Sequence, residues 1–209
     1  MQQVKNDNVK FFEENKYVKL PQVLNSQVNQ LLYEYVKTSA YKCKLIQDWS
    51  YFSTHPNYYN IDDHGYFDDP LTPGDFAKYG DMFFDTLLLG SLGIVENATG
   101  LNLIPAFSYY RLYTKGSVLE SHKDRASSEI SITLCLGYTD DQWPIFMDGI
   151  PVYQEPGDMV VYRGSDVLHG REELKGENHA QVFLHYTTKE IRRYDGRSYI
   201  GLPSIGVQL

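Results

Sequence analysis

Apolar positions recur at helical spacing in the first half of the chain and alternate in the second, so the pattern predicts helices followed by strands. Val28, Leu31, Leu32, Tyr35 and Val36 form one apolar stripe, with Asn25 or Ser26 as its N-cap. A second helix is predicted from about Asp81 to about Ala98, with Phe84, Leu87, Leu88, Leu92 and Val95 as its stripe and Gly100 as its stop. From Leu103 the period shortens. Ile104 to Tyr113, Glu129 to Leu136, Met159 to Tyr162, Asp166 to Arg171 and His179 to Thr187 read as strands. Trp143 to Met147 and Ile150 to Tyr153 flank Asp148-Gly149, a strong hairpin signal. Strands this short and evenly spaced predict an antiparallel sandwich or barrel. The expected layout is one unit over 1–209: a helical part to about 102, a strand-rich core over about 103–187 and a tail over 188–209.

Between the two helices, Asp48 to Asp75 is rich in Tyr, Asp, Asn, Pro and Gly. It is long for a loop in a compact domain, and such loops often serve function, here as a lid or as a surface excursion held by its aromatics. Trp49, Tyr51, Tyr58 and Tyr59 would be substrate wall or loop anchors. His55 and His64, with Asp62 and Asp63, read as a solvated acidic loop in preference to a second metal site.

Composition narrows the function. The 209 residues are 42% hydrophobic and 22% charged, ordinary for a soluble globular chain. A net charge of −8 without a basic stripe argues against nucleic acid as a partner. No apolar run is long enough for a membrane helix, and the polar N-terminus carries no signal core, which predicts a cytoplasmic protein without a membrane partner. Cys43 and Cys135 stand in unrelated contexts and read as reduced and buried.

The chemistry concentrates in His122-Lys123-Asp124 and in His169, within Val167-Leu-His-Gly-Arg-Glu172. Two histidines and one carboxylate occupy one face of a ferrous ion and leave the other face open. In an extended strand His122 and Asp124 point the same way, and His169 must come from a neighbouring strand. Three protein ligands and a water also describe catalytic zinc, so the pattern alone leaves the metal open. Ser131, Thr133 and Cys135 share the strand face opposite Ile130, Ile132, Leu134 and Leu136, and are candidates to line a pocket. His185 shares the alternation of His179, Gln181 and Phe183, as a core histidine or as a support to the metal ligands.

With the metal pattern in its strand context, the sequence resembles the iron(II)- and 2-oxoglutarate-dependent dioxygenases, near their prolyl-hydroxylase-like and phytanoyl-CoA-hydroxylase-like branches. Arg111 to Asp124, Glu129 to Leu136 and Pro156 to Tyr186 carry the likeness, and Phe11 to Pro21 resembles the segment that precedes the first helix there. The resemblance implies a mainly β fold, a double-stranded β-helix (jelly roll) with N-terminal helices packed on one sheet. It implies His122, Asp124 and His169 as iron ligands, and hydroxylation of a substrate C–H coupled to decarboxylation of 2-oxoglutarate to succinate with dioxygen as oxidant. Tyr113 would hydrogen-bond the cosubstrate, and the face of Thr133 would line its pocket. The family's final strand usually carries an Arg or Lys for the C5 carboxylate of 2-oxoglutarate, and the matching position here falls near His179. Arg171 is the favoured replacement, because it shares a strand face with His169 and its guanidinium offers a two-pronged donor. His179 comes second and Lys175 third.

Two other classes stay open on sequence: a non-catalytic jelly-roll binding or structural protein, and a cupin-like enzyme using another metal. The intact triad speaks against the first, and the single histidine of the first motif against the second. Asp124 itself disfavours an iron halogenase. The expected substrate is a small molecule or a peptidyl residue, and neither its identity nor an oligomeric state is readable.

Overall fold

The computed structural model describes residues 6–48, 64–140, 142–188, 198–199 and 202–203. Helix α1 (Asp7–Asn15) opens the fold, its N-terminus capped by the Asn6 side chain, which accepts from the Val9 amide. Strand β1 (Tyr17–Leu20) leads into α2 (Ser26–Asp48). Asn25 caps α2 by accepting from the Val28 amide at 3.0 Å, as its sequence predicts. After β2 (Phe76–Tyr79), α3 runs Met82–Thr99. Asp81 caps it by accepting from two amides, and Gly100 ends it in a left-handed conformation with φ 71°.

Eight strands follow: β3 (Leu103–Thr114), β4 (Leu119–His122), β5 (Ile130–Tyr138), β6 (Ile145–Met147), β7 (Ile150–Val152), β8 (Met159–Arg163), β9 (His169–Arg171) and β10 (Asn178–Thr188). They wind between two antiparallel sheets. One has the order β1-β8-β5-β10-β3-β2, the other β4-β9-β6-β7. That interleaving of β3 to β10 is the path of a double-stranded β-helix. A further pair, β11 (Ser198–Tyr199) and β12 (Leu202–Pro203), forms a separate two-stranded ladder. The β6–β7 turn has Asp148 at φ 48° and Gly149 at φ 84°, the two positive angles of the hairpin type that Asp-Gly favours.

The helices cover the outer face of the six-stranded sheet. Phe12, Leu32, Val36, Phe84, Leu88 and Val95 pack there against alternate strand residues, among them Tyr110, Ile132, Leu134, Val161, Val182 and Leu184. Asp81 ties the layers together by accepting the hydroxyls of Tyr35 on α2 and Tyr110 on β3, both at 2.8 Å. Gly137 permits a close approach of α2, since a Cβ there would meet the Tyr33 ring. The inner face meets the four-stranded sheet through Ile145, Met147 and Val152 on one side and Val160 and Tyr162 on the other.

Several elements depart from the sequence reading. The Phe11 to Pro21 stretch is a helix and an edge strand, and β2 emerges from the far end of the long loop. Strand β4 stops at His122, so Asp124 lies beyond it, in the irregular segment that leads to the turn at 126–127. Its convergence with His122 comes from that segment, anchored by the Asp124 amide on the Gly164 carbonyl, and not from pairing within the strand. Trp49, Tyr51, His55, Tyr58, Tyr59, Asp62 and Asp63 lie outside the described residues. Cys43 and Cys135 are buried and form no disulfide. Among the described residues, no helix is long and apolar enough to cross a membrane.

Candidate metal centre

The register of the smaller sheet sets the site. On adjacent strands β4 and β9, His122 and His169 face each other as ladder partners, their rings 4.4 Å apart. Asp124 is brought in by its own backbone, its amide donating to the Gly164 carbonyl at 2.8 Å. One ligand atom from each of His122, Asp124 and His169 lies within 4.8 Å of the other two, and Asp124 Oδ1 is 3.8 Å from His122 Nε2 and 3.6 Å from His169 Nε2.

Each ligand is oriented by a partner that consumes its other polar atom. His122 Nδ1 lies 2.7 Å from the Glu120 carbonyl, and His169 Nδ1 lies 3.0 Å from the Val167 carbonyl. A carbonyl only accepts, so both Nδ1 atoms carry hydrogen and both Nε2 atoms present a lone pair to the site, that of His169 also lying 3.4 Å from the Tyr162 hydroxyl. Asp124 Oδ2 accepts from Ser131 Oγ at 2.6 Å, which leaves Oδ1 facing the histidines. Ser131 Oγ is also 3.0 Å from His185 Nδ1. Gly164 is required here, because a Cβ would lie 2.5 Å from both Asp124 Oδ2 and Ser131 Oγ. Burial, then the neighbouring His169, lower the pKa of His122, which keeps its imidazole neutral as a metal ligand must be. Burial pushes the Asp124 carboxyl up, but His169, His185 and the Ser131 hydroxyl outweigh it and hold it below the usual carboxylate range.

Beside the triad is a cavity of about 400 Å³. Phe107, Tyr109 and Phe183 give it an aromatic wall, and Leu119, Ile145 and Tyr162 also line it. Leu119 is the ladder partner of Arg171. Arg171 faces the same side as His169, as strand alternation predicts, and is buried, not surface-paired with Glu172 or Glu173. Its Nη1 donates to the Trp143 carbonyl and its Nη2 to Gln154 Oε1 at 3.2 Å, while the guanidinium lies 4.8 Å from the centre of the Trp143 ring. Among the described residues its Nε has no partner, and none of the groups it binds is an acid. Burial lowers its pKa.

The other expected residues take different places. Tyr113 faces the interior, edge-on to Trp143 with centroids 4.9 Å apart. His179 stacks on Tyr138 and accepts from Gln181 Nε2 at 2.7 Å, so its Nδ1 carries the hydrogen, with no partner. Burial, then the charge of Arg171, drive its pKa well down. Thr133 faces inward, but its hydroxyl donates to Gln181 Oε1 at 2.9 Å. Lys175 is exposed and pairs with Glu173 at 2.8 Å, so the structure does not bring it to the site. His185 supports Asp124 through Ser131 and stacks on Phe107 at 4.3 Å.

Sequence reasoning missed Arg111. It lines the cavity with the triad, buried and paired at 2.8 Å with Asp69 from the segment before β2. The signal was available: Tyr109, Arg111 and Tyr113 alternate on one face of a strand whose last member was already assigned inward.

No protein-family profile matches the sequence, and no curated protein does. Solved structures match the fold. HygX from Streptomyces hygroscopicus, with nickel and 2-oxoglutarate bound, aligns at 12% identity with a TM-score of 0.60 over 90% of this chain and 88% of its own. A Pseudomonas putida prolyl-4-hydroxylase aligns at 17% identity and 0.58 over 87% and 97%. SnoN, a non-heme alpha-ketoglutarate-dependent epimerase from nogalamycin biosynthesis, aligns at 11% and 0.59 over 86% and 81%. The chain has the fold of the iron- and 2-oxoglutarate-dependent oxygenases.

Proposed function

We propose that this protein is an iron(II)- and 2-oxoglutarate-dependent oxygenase that hydroxylates a C–H bond of its substrate. The observation that carries the reading is the pairing of two features across one interior. The triad presents two imidazole nitrogens and one carboxylate oxygen, with the other polar atom of each ligand already bound. Beyond it, Arg171 is a buried cation without an acidic partner. An uncompensated buried charge costs several kcal/mol, so such a group fits a site made for an anion. A triad for the metal and a guanidinium for a distant carboxylate are together what metal-bound 2-oxoglutarate needs.

The donor set fits iron(II), which supplies a centre where dioxygen and 2-oxoglutarate meet. The balance is 2-oxoglutarate, O2 and R–H giving succinate, CO2 and R–OH, one oxygen atom entering each of the two organic products. The chain's own residues hold and orient. Arg171 receives the C5 carboxylate through Nε and a neighbouring Nη, and Tyr113 and the Nδ1–H of His179 stand on the same side of the interior as further donors. Ser131 and His185 fix the Asp124 carboxylate, and the aromatic wall keeps water from the reacting face. The alternatives, a non-catalytic shell or another metal in a cupin-like site, leave Arg171 without a purpose.

The test is 2-oxoglutarate binding to protein loaded with Mn(II), followed by succinate formation with Fe(II). Saturable binding that requires the metal is expected. Metal binding without any 2-oxoglutarate binding would refute the assignment.

A further inference from the structure

We infer that Arg111 is the substrate-binding residue of the cavity and that the substrate carries an anionic group, a carboxylate or its equivalent, on a flat or apolar body. The inference rests on the oxygenase reading only for where the reacting centre lies.

Arg111 differs from Arg171 in its surroundings. Asp69 Oδ2 accepts from Nη2 at 2.8 Å, and also takes the Tyr109 hydroxyl at 2.6 Å. Asp69 Oδ1 is held by the Leu71 amide at 2.9 Å. The carboxylate is therefore a fixed counter-ion, and Arg111 and its other neighbours hold it below the usual carboxylate range against the opposing effect of burial. It does not saturate the guanidinium. A guanidinium has five N–H donors. Nη2 also reaches the Tyr109 hydroxyl at 3.3 Å, Nη1 makes only a long 3.4 Å contact to the Tyr113 hydroxyl, and among the described residues Nε has no partner although the residue is 4% exposed. An unfilled donor on a buried arginine in the wall of the metal cavity marks where a second anion is received.

The charge balance of the cavity points the same way. A divalent ion, Asp124, the 2-oxoglutarate dianion and Arg171 sum to zero. Of the described lining residues that remain, Arg111 and Lys123 stand against Asp69. A chain of net charge −8 thus turns a positive surface toward its reaction centre. Such a local field attracts and orients an anion. The body of the ligand follows from the wall: Tyr79, Phe107, Tyr109 and Phe183 offer ring faces.

The probes are phenylacetate, phenylacetamide and phenethylamine, matched in shape and differing in charge. Each is titrated against Mn(II)- and 2-oxoglutarate-loaded protein, and broadening of its proton resonances by the Mn(II) reports approach to the metal, with a Zn(II)-loaded control. Phenylacetate should broaden saturably and bind roughly tenfold or more tighter than the amide, with the amine weakest. Arg111→Gln should erase that preference and leave Mn(II) and 2-oxoglutarate binding near the native values. Arg111→Lys, which keeps the charge, should retain part of it. Asp69→Asn should strengthen phenylacetate binding several-fold by removing a like charge. Equal binding of all three probes, a preference for the amine, or a preference that survives Arg111→Gln would overturn the inference. So would loss of 2-oxoglutarate itself in Arg111→Gln, which would make Arg111 the cosubstrate anchor. If the native protein binds Mn(II) but no 2-oxoglutarate, while phenylacetate binds through Arg111, the oxygenase reading falls and the anion site stands.

Discussion

The two faces of the six-stranded sheet are built from the same strands and have opposite chemistry. On β5, Ile130, Ile132, Leu134 and Leu136 look out to the helices, while Ser131, Thr133 and Cys135 look in. On β10, Ala180, Val182 and Leu184 look out, while His179, Gln181 and His185 look in, all of them buried. Burial is equal on the two sides, so burial does not separate core from site. What separates them is whether the buried groups need partners. The outer face is mainly apolar packing, and its few polar groups, such as the Tyr110 and Tyr186 hydroxyls, have acceptors in the helical layer. The inner face is a hydrogen-bonded set that ends in donors without acceptors, at Arg111 Nε, Arg171 Nε and His179 Nδ1. A protein tolerates such groups where a ligand completes them.

The comparison breaks most visibly on the outer face. Ile132→Ala opens a cavity under the helices and should destabilise the fold by about 2–5 kcal/mol, read from urea unfolding, with Mn(II) affinity of the folded protein unchanged. Large loss of metal affinity in that variant would mean that the two faces are not separable. On the inner face, Arg171→Lys keeps the charge and loses the fork. We expect 2-oxoglutarate affinity to fall by roughly 30- to 1000-fold, equivalent to about 2–4 kcal/mol, with metal binding nearly intact. Unaltered 2-oxoglutarate affinity would remove Arg171 from the cosubstrate site. His179→Ala should cost less, since a neutral imidazole donates one hydrogen bond and forms no ion pair.

The sequence announces one face better than the other. Alternation in β5 and β10, the Asp148-Gly149 turn and the caps of α2 and α3 are local signals, and the structure follows them. The two histidines and Asp124 were legible as a set because of the strand context around His122-Lys123-Asp124 and the distal His169, although the irregular segment that carries Asp124 was not. Arg171 was legible by its distance of two from His169. The rest depends on contacts across the chain. Strand alternation with Tyr113 could have turned Arg111 inward, but nothing near it in sequence indicates that Asp69 will pair with it. Ser131 gave a polar position but no sign that it would hold Asp124. Strand β4 is too short, and too polar at Glu120 and Ser121, to show a period.

Acid should separate the faces as well. His185 is buried among Phe107, Ser131, Asp124, Arg125 and His169, and burial pushes its pKa down to about 4 from 6.5, against the opposing pull of Asp124. Between those values the unfolded chain binds the proton and the folded chain refuses it. Stability is therefore full above about pH 6.5, declines as pH falls toward 4 and levels off below it, by at most about 3 kcal/mol from this residue. The depressed pKa values of His122 and His179 act in the same sense. Urea unfolding of metal-free protein across this range should show the decline, and His185→Gln should flatten it. A profile with no slope between pH 6.5 and 4 would contradict the neutral, buried state of these imidazoles.

The smallest expected effect is the most local, at the hydroxyl that joins the two sheets. Ser131 Oγ holds Asp124 Oδ2, so that Oδ1 alone faces the histidines. Ser131→Ala removes that hold, and the carboxylate gains a rotation it must lose again when a metal binds. Partners of metal ligands typically contribute 10- to 100-fold in affinity, which is about 1.4–2.7 kcal/mol, and Mn(II) affinity should fall by that order. The fold should persist, because the residue lost is small and the outer face of β5 is untouched. Thr133→Val, one inward position along the same strand, breaks a hydrogen bond to Gln181 and should leave Mn(II) binding unchanged. Gly164→Ala approaches the same seat from the other side, since its methyl would lie 2.5 Å from both Asp124 Oδ2 and Ser131 Oγ, and should reproduce the metal defect. Calorimetric Mn(II) titrations of the three variants decide the matter. Equal affinity in Ser131→Ala and the native protein would show that Asp124 is held by its backbone bond to Gly164 alone.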